Sequence, residues 1–202
     1  MPKIRAATVA EHRQLQRAAL LDAARTLLIE GGMEALTFPS LAARTGLARS
    51  SVYEYFRSRA AVVEALCEVD FPLWAAEIEA GMASCDTAAG RIEAYVRGQL
   101  ALAGDPRHRA VMAISAVELD EAARERIRAA HAGLAGLVVQ ALEDLGHERP
   151  RLAAALLQGV VEAAVRRAEQ FAAGDRAGCP VESAEAIADA AVSLALHGLD
   201  RG

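Results

Sequence analysis

A chain of 202 residues with 53% hydrophobic and 24% charged residues is long enough to bury the core of one or two domains, and its composition excludes a collagen-like or disordered protein. Aromatic residues are 4% of the total, and the chain is rich in Ala, Leu, Arg and Glu, all strong helix formers, so a sheet protein is disfavoured and an all-α fold expected. The formal net charge of −5 conceals a division: residues 1–66 carry nine basic and six acidic groups, a local charge of +3, and the remaining 13 basic and 21 acidic groups leave −8.

Cys67, Cys85 and Cys179 are odd in number and lack metal-ligand spacing, which suits a reducing cytosol; neither metal nor cofactor is expected. The opening MPKIRAATVAEHRQ lacks the apolar core of a signal peptide. The most apolar stretch, 152–165, is interrupted by Gln158, Gly159 and Glu162 and falls short of the ~20 apolar residues of a membrane span. The expectation is a soluble, cytoplasmic protein with no membrane partner.

Between residues 11 and 30, Leu15, Ala19, Leu20, Ala23, Ala24, Leu27 and Leu28 recur at steps of three and four, predicting a helix that Gly31-Gly32 ends. Thr37 is placed to cap a second, short helix with Pro39 in its first turn and Gly46 as its stop. A third short helix is expected over 49–56 and a fourth from Arg59, with a kink or break near Phe71, because the Pro72 ring meets the carbonyl of Glu68. Longer helices follow at about 87–103, 106–117, 119–145, 150–173 and 182–198, separated by turn chemistry at 104–106, 146–150 and 174–180. Gly90 and Gly98 weaken the first of these.

Two short helices joined by a glycine turn have the spacing of a helix-turn-helix, whose second helix enters the major groove. Leu41, Leu47, Val52 and Phe56 supply a small core and leave Arg49, Ser50, Ser51, Tyr53 and Tyr55 outside it. Two of the three tyrosines of the chain lie in this helix, where a buried hydroxyl would need a partner, so a polar surface is expected. Arg49 at the positive end of the helix dipole is locally unfavourable by ~0.3 to 1 kcal/mol, which an anionic partner would relieve.

Leu36-Thr37, Leu41-Ala42, Gly46-Leu47-Ala48 and the run from Ser51 through Val52, Tyr53, Glu54, Tyr55, Phe56, Arg57 and Ser58 to Arg59 together resemble the signature of the TetR family of transcriptional regulators over about 50 residues. The resemblance implies that Thr37, Tyr53, Tyr55 and Arg59 contact DNA phosphates and that Arg49 and Ser50 lie where base edges are read, with Ser51 on the same helix. Arg59 stands where lysine is usual, Ala60 replaces a common acidic residue, Ala48 cannot cap as serine would, and Glu54 brings an acid near DNA, either to accept from a cytosine amino group or to pair with Arg57. The implied architecture is a DNA-binding domain over 1–58 and a helical effector-binding and dimerisation domain over 59–202. The implied function is that of a repressor, a homodimer that leaves a palindromic double-stranded operator when a small molecule binds.

Beyond the signature, the residues speak less specifically. Leu152, Leu156, Leu157, Val160, Val161, Ala164, Val165 and Ala168 make the penultimate helix apolar around much of its circumference, as a dimerising helix requires, although a central core helix has the same look. Phe71, Trp74, Ile78 and Met82 share one face, Tyr95 and Gln99 another, and His131 sits among apolar residues of a third helix; these are candidate effector contacts, with plain core packing as the alternative. No HExxH, paired Glu-x-x-His, nucleophile elbow or glycine-rich phosphate loop is present, which disfavours an enzyme. A helical interaction adaptor is opposed by the basic N-terminal part.

Overall fold

The computed structural model describes residues 9–119, 121–172 and 183–198, with backbone alone at 9, 113, 115–118, 123–124, 126–132, 169 and 171–172. Among the described residues there are nine α-helices and no strand: α1 (Val9–Ala35), α2 (Phe38–Thr45), α3 (Arg49–Tyr55), α4 (Arg59–Ala83), α5 (Ala88–Gly104), α6 (Pro106–Glu118), α7 (Glu121–Asp144), α8 (Pro150–Ala172) and α9 (Ala184–His197). Cys179 and the inter-helix stretch around it lie outside the described residues. None of the described helices is long and apolar enough to cross a membrane.

Apart from the end of α1, the expected helix ends hold to within a residue or two, because local side chains set them. α1 is interrupted at Gly31 and Gly32, the latter at φ 60°, and one further turn follows before Leu36, 2% exposed, anchors the chain. Thr37 caps α2 by accepting from the Ser40 amide at 3.2 Å, and Gly46 closes it at φ 69°, in the left-handed region where a Cβ is disfavoured. Thr87 and Ser183 cap α5 and α9 through the amides of Gly90 and Ala186.

Of the kink or break expected near Phe71, the break does not occur: α4 runs through Pro72 as one helix. Pro72 and Glu68 are both exposed, so the hydrogen bond that proline forfeits is lost where water can replace it. Phe71, Ile78 and Met82 on the same helix are 2 to 3% exposed, and their burial outweighs that loss.

The chain forms two compact units. The first comprises the described residues up to Val69 together with Ala110–Arg124; the second comprises Asp70–Arg109 and the described residues from Glu125 onward. In the first, α2 packs on α1 and α3 on α2, with Leu20, Ala24, Leu41, Val52, Val62, Val63 and Leu66 completely sequestered. In the second, α5, α8 and α9 pack on one another around Ile92, Val96, Val138, Leu157, Val161 and Ile187. Gly98, in the middle of α5, lets Ile78 approach closely, since a Cβ there would stand 3.1 Å from Ile78 Cγ1. The division between the units falls inside three helices: α4 between Val69 and Asp70, α6 between Arg109 and Ala110, and α7 between Arg124 and Glu125.

Candidate nucleic-acid interface

α3 has two faces. Val52 is 0% and Phe56 3% exposed, and they close the small core with Leu41 and Phe38. Leu47, the residue after the turn, is half-buried and completes the inner side. Arg49, Ser50 and Tyr53 face outward; Tyr53 lies four residues from Arg49 and three from Ser50, a neighbour of each on the helical surface. Ser51, Tyr55 and Arg59 are half-buried at its margins, and Thr37 is exposed at the start of α2. The first unit thus carries all seven of the residues for which DNA contact is expected.

The supports of this surface are physical contacts of the same unit. The Tyr53 ring lies against Phe38, centroids 4.5 Å apart and tilted by 57°, so its position is set by the first residue of α2. Ala48 offers no side-chain cap, and α3 begins on backbone bonds alone, with Ser51 and Val52 donating to the Ala48 carbonyl. Ser58 compensates for Ala60 at the next helix by accepting from the Ala61 amide at 3.1 Å. Arg49 makes no hydrogen bond or ion pair among the described residues. The expected pairing of Glu54 with Arg57 is not formed there either; Glu54 engages through its backbone carbonyl, to Arg13.

Arg13 and Arg17 are the residues that reading the sequence alone misses. Both come from α1: the Arg13 guanidinium lies 5.6 Å from the Tyr55 ring centre, and that of Arg17 lies 5.8 Å from Phe56 and 4.0 Å from the Glu68 carboxylate. Their spacing of one helical turn is the only trace of this in the sequence.

In the second unit, the candidate effector contacts separate by burial. Phe71, Ile78 and Tyr95 are 2 to 4% exposed, and Ile78 and Tyr95 belong to the packed core with Met82. Trp74 and Gln99 are half-buried. Trp74 packs on Phe71 at 5.4 Å and meets the edge of His108 at 4.7 Å, which adds a histidine from the start of α6 to that cluster. The side chain of His131 lies outside the described residues. No group of three or more His, Cys, Asp or Glu among the described residues is arranged to hold a metal ion.

The Tyr95 hydroxyl donates to Gln158 Oε1 at 2.5 Å, and Gln158 Nε2 donates to Glu162 at 3.3 Å. Burial pushes the Tyr95 phenol above its ordinary range, a side-chain interaction with Gln99 offsets part of this, and the Glu162 charge adds to it. Unfolded tyrosine loses its proton near pH ~10, whereas folded Tyr95 keeps it; its contribution to stability is therefore present below that pH and lost as pH rises through the folded value. A phenolate-absorbance titration is expected to show a late-ionising tyrosine that Tyr95→Phe removes.

Helical throughout its elements among the described residues, the chain carries a helix-turn-helix whose second helix turns Arg49, Ser50 and Tyr53 outward, the geometry of a helix that enters a DNA groove. Residues 20–66 match the family model of "Bacterial regulatory proteins, tetR family". No curated protein matches the sequence. Among solved structures the fold is shared with the transcriptional regulator FadR from Bacillus subtilis in complex with stearoyl-CoA, at 17% identity and TM-score 0.70, over 90% of this chain and 98% of that one. It is also shared with AibR in complex with isovaleryl coenzyme A and operator DNA, at 18% identity and TM-score 0.65, over 89% and 97%. A regulator of the TetR/AcrR family from Thermobifida fusca aligns at 19% identity and TM-score 0.73, over 92% and 99%.

Proposed function

We propose that the protein is a ligand-responsive transcriptional repressor: a homodimer that holds a palindromic operator through α3 and releases it when a small molecule binds the second unit. The observation that carries this is the outward set Arg49, Ser50 and Tyr53 opposite the buried Val52 and Phe56, within the segment that matches the regulator family. Arg49 and Ser50 read base edges in this reading, and Thr37, Ser51, Tyr53, Tyr55 and Arg59 hold the backbone. Selection of bound fragments from a genomic library tests it. A palindromic consensus with half-sites ~34 to 36 Å apart, or a multiple of that, is expected; binding without sequence preference would overturn it.

The effector end of the proposal rests on Trp74, half-buried on α4, a helix that contributes residues to both units. Release can be no larger than the ligand's preference for the released conformation, and a tenfold loss of operator affinity needs about 1.4 kcal/mol, within reach of one apolar contact. Stearoyl-CoA and isovaleryl-CoA, carried by two proteins of the same fold, are the first compounds to titrate. Once an effector is in hand, Trp74→Ala is expected to leave operator affinity within about threefold and to raise the effector concentration for half-release about tenfold. A variant that releases DNA at the wild-type concentration would move the contact elsewhere, with the α7 face around His131 next in line.

A further inference from the structure

α3 is seven residues long, too short to hold its own shape in water, and it has no side-chain cap at its N-terminus. Its end is equally exposed to fraying. The Phe56 amide satisfies the Val52 carbonyl at 3.0 Å, but the chain then turns extended at Phe56, φ −135° and ψ 126°, so the Glu54 carbonyl has no helical amide to accept from. That orphan acceptor, at the negative end of the helix dipole, takes a hydrogen bond from Arg13 Nη2 at 3.4 Å. The same guanidinium lies over the neighbouring Tyr55 ring, 5.6 Å from its centre. One planar cation from α1 therefore engages two consecutive residues of α3, one by its backbone and one by its ring. Arg17, a turn further along α1, lies over the Phe56 ring and is itself paired with Glu68 of α4.

We infer that Arg13 is a positioning residue of the recognition helix: it clamps the C-terminal end of α3 to α1 and so sets the register in which Arg49, Ser50 and Tyr53 meet the groove. This rests on the proposed role of α3 in reading DNA. A lysine in place of Arg13 would retain the charge but not the planar, multi-donor guanidinium that reaches the Glu54 carbonyl and the Tyr55 ring together. Arg13 itself carries no base-reading role here; the discrimination it supports is exercised by Arg49 and Ser50.

The test uses the full chain with Arg13→Gln and Arg13→Lys, measuring affinity for the selected operator and for unrelated DNA over a range of salt, together with amide exchange over residues 49–56. Clamping predicts that operator affinity falls about tenfold while affinity for unrelated DNA and the salt slope stay unchanged. Exchange in α3 should accelerate in both variants, and lysine should not rescue. A direct phosphate contact would instead weaken both DNAs alike, lower the salt slope by about 0.9, and be restored by lysine, and that result overturns the inference. Unchanged exchange and unchanged affinity overturn it as well. Wild-type protein that selects no sequence at all overturns the proposed function and this inference together, an outcome visible before any variant is made.

Discussion

Leu156→Asp is expected to turn the protein from dimer into monomer and to weaken operator binding by about a hundredfold or more, since a monomer engages each half-site without the effective concentration its partner supplies. α8 is apolar on two sides. Leu157, Val161 and Ala164 point into the packed core of the second unit, whereas Leu152 is 51% and Leu156 65% exposed. α9 has a buried side of Ile187, Ala188, Ala191 and Val192, and outward it presents the small residues Ala186, Ala190 and Ser193. Small residues permit close approach of a second pair of helices, and the leucines supply area, roughly 1.5 to 3 kcal/mol for each one fully buried. In a two-fold interface every substitution acts twice, so an aspartate at this position places two uncompensated charges in the contact. The fold of the single chain should be spared, because Leu156 contributes little to its own unit. Sedimentation of the variant showing monomer with undiminished helical circular dichroism is the expected result; a variant that remains dimeric would place the interface on another surface.

Arg49→Ala is expected to lower operator affinity by about 1 to 3 kcal/mol and to relax base preference at one position of each half-site, while changing affinity for unrelated DNA little. The guanidinium stands exposed at the start of α3 and makes no hydrogen bond or ion pair among the described residues, so nothing in the folded chain has to be broken before it reaches a base edge. Arg59 and Tyr53 differ in their expected role. If they hold phosphates, Arg59→Ala and Tyr53→Phe weaken all sequences together, and the arginine change also lowers the salt slope by about 0.9. Binding of each variant to a panel of operators with every base substituted in turn separates the two patterns; an Arg49→Ala protein with the wild-type preference profile would take base reading away from this residue.

Much of this protein is written in short-range chemistry. Thr37, Pro39 and Gly46 delimit α2 because a cap, a proline and a left-handed glycine act within four residues of themselves, and the spacing of Val52 and Phe56 sets the inner side of α3 for the same reason. The amino-acid sequence alone therefore determined the ends of α2 and α3, the all-α class and the helix-turn-helix with Arg49, Ser50 and Tyr53 outward. Only the tertiary structure decided that α4 continues through Pro72, because the burial of Phe71, Ile78 and Met82 outweighs one hydrogen bond lost to solvent. It also decided that Ile78 and Tyr95 are core residues, that Trp74 meets His108, and that Arg13 closes the end of α3 from 41 residues away. Such contacts join residues far apart in the chain, and a periodic pattern reports which side of a helix is apolar without naming what covers it.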